Sequence, residues 1–209
     1  MKTPSNFRPQ RGFTLIELLV VIAIIAVLAG AGFAVGSAAL ERARKLAAQN
    51  SATAIDQAVN AFFSEYGGFP ADGTVDGEGT AVDTSIETTG EDGVAFLNAL
   101  LGIDRGSNTR GISFLSAKEG KLRGQGGTDG IVYEEDSGNV RGLYDPWGNP
   151  FTVVMDTNYT GFVEVTPMNN GTAIENTKTT PLHGRRVAVY SPGVRGGDTA
   201  TLRTMVKTW

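Results

Sequence analysis

The chain has 209 residues but no cysteine and only one histidine, His183. The lack of cysteine excludes disulfides, thiolate metal ligands and cysteine nucleophiles. A single imidazole excludes metal sites built from several histidines. Basic residues are also scarce, since 18 Lys and Arg stand against 22 Asp and Glu and give a formal net charge of −4. This balance argues against a general nucleic-acid-binding protein, which would be basic.

Formal charge is absent from one long segment, residues 18–40, whose sequence is LLVVIAIIAVLAGAGFAVGSAAL. As a helix this segment would extend about 35 Å, which exceeds the ~30 Å thickness of the hydrocarbon core of a bilayer. The run is also longer than the apolar part of a secretory signal peptide. These features predict a retained transmembrane segment over residues 13–40.

Residues 1–12 form a basic leader that contains Lys2, Arg8 and Arg11 and no acidic residue. Positive charge before a membrane segment places that side in the cytoplasm. The sequence therefore predicts a single-pass membrane protein with a cytoplasmic N-terminus. Residues 67–209 are then expected to form a globular head on the opposite side of the membrane.

The helix is expected to continue beyond the apolar run, because residues 41–66 contain neither Gly nor Pro and are mostly good helix formers. Ile55, Val59 and Phe62 recur at helical spacing, which predicts a stripe that packs against the head. The same stripe is expected to include Leu40, Ala43, Ala47, Ala54, Ala58 and Tyr66. Two glycines follow Tyr66 and favour a stop. The predicted helix therefore covers residues 13–66.

The head holds 24 of the 28 glycines. Three β-rich runs predict strands, of which the first two form a hairpin, at residues 151–155, 162–165 and 186–191. A short helix is predicted at residues 94–101. Two segments are predicted to be surface loops, residues 72–92 and 120–130. A few antiparallel strands laid on one amphipathic helix define an α+β fold, with the long N-terminal helix packed on a small C-terminal sheet.

The junction between leader and apolar run reads Arg11-Gly12-Phe13-Thr14-Leu15-Ile16-Glu17. Here the chain resembles the type IV pilin superfamily, which includes the pseudopilins of type II secretion systems. The resemblance implies a pilin-like form of the α+β fold. It implies that the membrane is the bacterial inner membrane and that residues 67–209 form a periplasmic or extracellular head. It also implies that a prepilin peptidase cuts between Gly12 and Phe13, and that the new N-terminus at Phe13 is methylated.

Glu17 is an acidic residue at the start of the apolar segment, where a carboxylate costs about 2.5–3.5 kcal/mol. Cleavage would create an amine at Phe13, one helical turn from Glu17 in the same helix and able to meet the Glu17 of a neighbouring subunit. Pairing between subunits would fix the axial register of a filament, so Glu17 is the predicted assembly residue. The alternative is that Glu17 lies at the level of the lipid headgroups.

A second block, Asp145-Pro146-Trp147-Gly148-Asn149, resembles a segment of the major pseudopilins of type II secretion. Asp and Pro favour a turn, and Gly-Asn permits a positive φ. The ring of Trp147 can fill a place in the core. Asp145 has no His or Ser nearby in sequence, so the block is predicted to be a structural turn and not a catalytic site.

The C-terminal segment departs from the family that the chain resembles. In major pseudopilins this segment is acidic and commonly binds calcium through its oxygen ligands. Here Arg195 and Arg203 stand at the expected acidic positions, and Asp198 is the nearby carboxylate. Asp198 is therefore a weak metal candidate, calcium binding is doubtful, and no other cofactor is expected. The basic residues His183, Arg185 and Arg186 are expected to be solvated.

Together these features predict a structural subunit without enzymatic activity that assembles through its N-terminal helix into a type II secretion pseudopilus. Its predicted partners are further copies of itself, a prepilin peptidase, the inner-membrane secretion platform, minor pseudopilins and membrane lipid, with no nucleic acid. Two alternatives remain open. The chain is either a major or minor subunit of a type IV pilus, or a surface-displayed binding domain exported through a pilin-type anchor.

Overall fold

The computed structural model describes residues 12–70, 83–169, 172–173, 178–194 and 205–209, without the side chains of residues 31–35, 169, 172 and 173. The chain divides into two compact units, Met1–Ala43 and Arg44–Trp209. Asp198, Arg195 and Arg203, on which the metal expectation depends, lie outside the described residues.

Helix α1 (Leu15–Tyr66) has 52 residues. It ends at Gly67, which has a φ of 74° and donates its N–H to the carbonyl oxygen of Phe63 at 2.8 Å. Glycine adopts this left-handed conformation without steric cost. Of the two glycines predicted to stop the helix, Gly67 is therefore the one that ends it. Within the part of the chain that the structure describes, no helix is long and apolar enough to cross a membrane. The transmembrane segment predicted over residues 13–40 is not confirmed.

In the second unit, helix α1 buries one stripe of side chains in the core. Each member of the stripe is at most 2% exposed: Ala48, Ala52, Ile55, Ala58, Val59 and Phe62. The predicted residues Ile55, Ala58, Val59 and Phe62 are thus confirmed as core residues. Leu40 is 64% exposed and Ala43 is also exposed, so the buried stripe begins later than predicted.

The described residues contain a second helix, α2 (Gly90–Leu101), and strands β1 to β12 at Thr84–Glu87, Lys121–Arg123, Gly126–Thr128, Gly130–Tyr133, Val140–Tyr144, Thr152–Met155, Phe162–Val165, Met168–Asn169, Thr172–Ala173, Thr180–His183, Val187–Ser191 and Val206–Lys207. The strands pair antiparallel. Four of them form a sheet in the order β1-β6-β11-β12, and the others form the pairs β10-β7, β2-β3, β4-β5 and β8-β9. The predicted combination of a long N-terminal helix with antiparallel sheet is confirmed.

The hairpin predicted between residues 151–155 and 162–165 is wrong. Strand β6 already has β1 and β11 as its two neighbours, so β7 pairs with β10 instead. The chain turns away at Asp156, whose carboxylate accepts the N–H groups of Thr160 at 2.8 Å and Gly161 at 2.9 Å. Positive φ angles at Tyr159 (56°) and Gly161 (81°) complete this turn.

The two predicted surface loops are also wrong in the parts that the structure describes. The first contains β1 and the start of α2, and the second contains β2 and β3; residues 71–82 are outside the described residues. A Cβ added to Gly127 of β3 would lie 2.7 Å from Cδ2 of Tyr144, so glycine is required for close packing at this strand. A strand in which glycines permit such close packing is as rich in glycine as a surface loop. The glycine content of residues 120–130 therefore wrongly indicated a loop.

Strands β6 and β11 are buried on both faces. On one face, Val153 and Val189 join the core cluster that contains the stripe of α1 and the buried face of α2. On the other face, Val154 and Tyr190 pack with Val163 in a second cluster. Because both faces are covered, these strands read as continuous apolar runs without alternation.

Candidate functional site

The N-terminal junction begins with a reciprocal hydrogen-bonded cap on helix α1. Oε2 of Glu17 accepts the backbone N–H of Thr14 at 2.8 Å and the Thr14 hydroxyl at 2.7 Å. The Glu17 N–H in turn donates to Oγ1 of Thr14 at 3.3 Å. This is a capping box, in which the first residue and the residue three positions later satisfy each other's N–H groups. The carboxylate of Glu17 is therefore held beside Thr14, the residue that follows Phe13.

At the predicted cleavage position, Gly12, packing among the described residues does not require a glycine. A Cβ built on Gly12 meets no described atom within 4 Å, and its φ lies outside the range that favours glycine. Phe13, the predicted new N-terminus, is 75% exposed. Among the described residues, Gly12 and Phe13 are both exposed, and packing in this part of the chain does not require a small residue at position 12.

The start of helix α1 exposes a continuous apolar surface. The large side chains between residues 15 and 28 are exposed by 45% at Val21 to 82% at Leu15. An apolar surface of this extent marks a contact with lipid or with another protein surface. The exposed apolar surface, defined here by residues 15–28, follows the capping box directly in the chain.

Asp145 lies at the centre of the predicted turn and is fully buried. Its Oδ1 accepts the backbone N–H groups of Trp147 at 2.9 Å and of Asn149 at 2.8 Å. Its Oδ2 accepts the side-chain amide of Asn149 at 2.9 Å and the hydroxyl of Ser191. Four donors thus compensate the desolvation of one buried carboxylate. Asp145 therefore forms the centre of a hydrogen-bonded turn.

The turn is tied to the end of strand β11. Ser191, the last residue of β11, is fully buried and donates to Asp145. The side-chain amide of Asn149 also donates to the carbonyl oxygen of Gly193 at 2.7 Å. Sequence reasoning found no Ser partner for Asp145, because Ser191 is 46 residues away. This buried hydroxyl, which donates to a carboxylate, holds the two segments together.

The remaining residues of the block occupy the positions that a tight turn requires. The ring of Trp147 is partly buried and packs against the main core cluster. Gly148 has a φ of 93°, and a Cβ there would lie 3.2 Å from the carbonyl oxygen of Gly127. Gly148 is therefore required both by its backbone conformation and by close packing. Pro146 is half-buried at the second position of the turn.

Asp56 is a partly buried acidic residue that the sequence analysis did not single out. It lies on α1, where its Oδ1 accepts the side-chain amide of Asn60 at 2.7 Å and its Oδ2 lies 3.7 Å from Nη1 of Arg185. Burial raises the pKa of the Asp56 carboxyl, and the charge of Arg185 offsets part of this effect. The guanidinium of Arg186 lies 4.7 Å from the centre of the Phe63 ring. Both arginines, expected to be solvated, therefore contact α1.

The described residues form no metal site, and the contacts of His183 assign it no role. In the residues described, no group of three or more His, Cys, Asp or Glu side chains is placed to hold a metal ion. The expectation for Asp198 stays a prediction, since that residue is outside the described part. His183 is exposed and its ring lies 5.4 Å from that of Phe162.

One signal in the sequence could have revealed the capping box. Thr14-Leu15-Ile16-Glu17 has the pattern of Thr and Glu separated by two residues before an apolar run, which is a typical helix start. The partners of Asp145 and Asp56 had no comparable signal, because Ser191 and Arg185 are distant in sequence and only the fold brings them near.

The comparisons with known proteins concern this N-terminal region. Residues 7–33 match the prokaryotic N-terminal methylation motif, which supports a type IV pilin-like protein with a prepilin-type N-terminus. The match contains Gly12, Phe13 and Glu17 and all of the exposed apolar surface. No curated protein and no solved structure matches the chain. The individual roles of Gly12, Phe13 and Glu17 stay predictions.

Proposed function

We propose that the chain is a structural, non-enzymatic subunit of a type II secretion pseudopilus, held in the inner membrane by residues 13–40 until it assembles. The observation that carries the proposal is the prokaryotic N-terminal methylation motif at residues 7–33. The exposed apolar surface at residues 15–28 supports it, because both storage in lipid and packing against other copies would cover these side chains.

The first step is removal of the leader. A prepilin peptidase hydrolyses the Gly12-Phe13 bond with water, and one methyl group passes from a sulfonium methyl donor to the amine of Phe13, which loses a proton. The surroundings of Gly12 support this step, since no described atom lies within 4 Å of a Cβ built on it. The step leaves the capping box intact, because both Thr14 and Glu17 lie after the cut.

The second step is assembly through Glu17. An unpaired carboxylate in lipid costs about 2.5–3.5 kcal/mol. In the described chain Thr14 supplies two donors to Glu17, but no positive charge. The amine of Phe13 in an incoming subunit supplies that charge, so pairing fixes the height of the new subunit relative to the one before it. Covering the apolar surfaces then stabilises the contact.

In the proposed filament, the head contributes a surface that the Asp145 turn stabilises. The Asp145 turn and its bonds to Ser191 and Asn149 support the resemblance to major pseudopilins, since they hold a fixed turn at the end of strand β11. Copies of the chain, the secretion platform in the inner membrane and minor pseudopilins are the proposed partners.

Intact mass of the protein extracted from membranes tests the proposal. The expected result is loss of residues 1–12 and a gain of one methyl group on Phe13. Retention of Met1 in the assembled form would contradict a pilin-like role. Replacement of Gly12 by Leu should leave the precursor uncut, whereas replacement of Gly30 by Leu, which also meets no described atom within 4 Å, should not affect cleavage.

Deletion of the gene separates the secretion role from its alternatives. Loss of protein secretion without loss of surface pili supports a pseudopilus subunit. Loss of surface pili with normal secretion supports the alternative of a type IV pilus subunit. Retention of both would favour a binding domain that is exported through a pilin-type anchor.

A further inference from the structure

A pocket of about 740 Å³ in the second unit is lined by two arginines and by peptide groups of three glycines. Arg44 of helix α1 and Arg123 of strand β2 provide its charged side chains. The rest of the wall comes from Gly126-Gly127 of β3 and from Pro146-Trp147-Gly148 of the Asp145 turn. No carboxylate is among the described lining residues, although the whole chain is acidic. A pocket of this charge favours an anion.

The donors in this pocket suit a phosphate group. A guanidinium has five N–H donors in a planar fork that matches two oxygens of a phosphate. Arg44 and Arg123 are both exposed, and each can contact an anion while keeping other partners. Glycines bring the backbone close to a ligand, because they have no side chain to hold it away.

The position of Arg44 in the sequence indicates that the phosphate belongs to a lipid headgroup. Arg44 follows Leu40, the last residue of the uncharged run, by four residues. Four residues span at most about 14 Å even when fully extended. The headgroup layer occupies about 5–8 Å on each side of the hydrocarbon core. If the run lies in the bilayer, Arg44 therefore lies in or beside the headgroup layer, together with the exposed Arg42 and Lys45.

We infer that this pocket binds the phosphate of an anionic phospholipid while the subunit is stored in the membrane. The inference rests on the proposed anchoring by residues 13–40. The phosphate contacts Arg44 and Arg123, and the partly buried ring of Trp147 lines the same pocket. The contact sets the depth of the head at the membrane surface and is released when the subunit leaves the bilayer.

Fluorescence of Trp147 in the full chain tests the inference. The chain has two tryptophans, so replacement of Trp209 by Phe leaves Trp147 as the single reporter. The protein is reconstituted into vesicles that contain phosphatidylcholine and phosphatidylglycerol, with bromine atoms on one lipid or on the other. Brominated phosphatidylglycerol should quench Trp147 more strongly than brominated phosphatidylcholine at the same bromine content. Each basic residue near an anionic membrane favours binding about fivefold, so replacing both arginines should abolish the preference.

The matched control also removes two arginine charges, but at positions of the second unit that lie outside the pocket. Arg44→Gln with Arg123→Gln should remove the preference, whereas Arg105→Gln with Arg110→Gln, which do not line the pocket, should keep it. Anionic lipid retained on the purified parent, measured by mass spectrometry without the Trp209 substitution, should follow the same order. Equal quenching by the two lipids, or equal loss in both double variants, would overturn the inference.

Two other outcomes separate the lipid inference from its premises. If inorganic phosphate, compared with chloride at equal ionic strength, binds the detergent-solubilised chain through Arg44 and Arg123 while the two brominated lipids quench Trp147 equally, the pocket binds free phosphate and the lipid assignment is wrong. If the chain does not enter vesicles of either composition, the proposed membrane anchoring fails and the inference fails with it. Entry into both vesicles without a lipid preference contradicts the inference alone.

Discussion

The hydroxyl of Ser191 donates to the carboxylate of Asp145, so that the end of strand β11 and the turn 46 residues earlier share one buried hydrogen bond. Neither residue is exposed to solvent. Loss of either group would leave the other buried without a partner, which costs more than the net value of an ordinary hydrogen bond. The pair is therefore expected to be important for the stability of the second unit.

Replacement of Ser191 by Ala should lower the free energy of unfolding by about 1.5–3 kcal/mol, the usual range for a hydrogen bond to a charged group. Thermal unfolding of the detergent-solubilised full chain, followed by circular dichroism, would measure this. Ser137 provides a matched control, because its hydroxyl donates to Glu134 at 2.7 Å on the exposed surface. Ser137→Ala should cost about 0.5 kcal/mol or less. Equal costs would show that the Asp145 bond has no special role.

Two neighbouring glycines of strand β3 should respond differently to a methyl group. A Cβ on Gly127 would lie 2.7 Å from Cδ2 of Tyr144, whereas one on Gly126 would lie 3.7 Å from Cε1 of the same ring. Gly127→Ala is therefore expected to cost about 1–3 kcal/mol through overpacking. Gly126→Ala should be close to neutral. A tolerated Gly127→Ala would mean that β3 does not pack against Tyr144 as described.

Asp56 should give stability a pH dependence of unusual sign. Because burial raises its pKa above 3.8, the folded chain binds a proton there more readily than the unfolded chain does. As the pH rises through this raised pKa, Asp56 ionises and its contribution to the free energy of unfolding falls. The difference in free energy of unfolding between the parent and Asp56→Asn should therefore decrease as the pH rises from about 3.5 to 7. Denaturant unfolding at several pH values would measure it.

Asp104 is the control with the opposite sign. The N–H of Gly106, and to a lesser extent the side chain and N–H of Ser107, lower the pKa of its carboxyl. The stability that Asp104 contributes is present above pH 3.8 and is lost as the pH falls through its lowered pKa. The difference between the parent and Asp104→Asn should therefore increase with pH. The same slope for both variants would contradict the assignment of burial as the cause at Asp56.

Replacement of Glu17 by Gln should separate processing from assembly. Gln retains the shape of the side chain and an oxygen that can accept from Thr14, but it removes the negative charge. Membrane level and cleavage at Gly12-Phe13 should be normal, because the cut lies outside the capping box. Filament formation, measured by electron microscopy and by secretion, should fail or fall sharply. The exposed Glu135→Gln serves as a control for loss of one acid, and efficient assembly of Glu17→Gln would refute the charge-pair mechanism.

Some of the fold could be predicted because its signal is local and periodic. Ile55 and Val59 recur at helical spacing, and their burial follows from that alone. Strand β7 (Phe162–Val165) was placed at the right residues by its β-rich composition, but its partner was not, because both sides of β6 are occupied by distant segments. One of these, β1, lies in a segment that was predicted to be a loop.

The site was predictable to the extent that its residues are neighbours in sequence. The capping box of Thr14 and Glu17 was available from the pattern alone. Ser191 and Arg185 were not, since their contacts with Asp145 and Asp56 arise only after the sheet has formed. The need for glycine at Gly127 likewise depends on a ring from another strand, which composition cannot show.

The capping box has a consequence for the order of events at the N-terminus. Every hydrogen bond of the cap joins residues from Thr14 onward, so a chain shortened at Phe13 keeps all of them. Cleavage at Phe13 therefore removes none of the described hydrogen bonds of the cap. The new amine of Phe13 would form next to the carboxylate of Glu17, which Thr14 already holds in place. An incoming subunit would therefore meet a preorganised carboxylate, and less conformational entropy of Glu17 would be lost on binding.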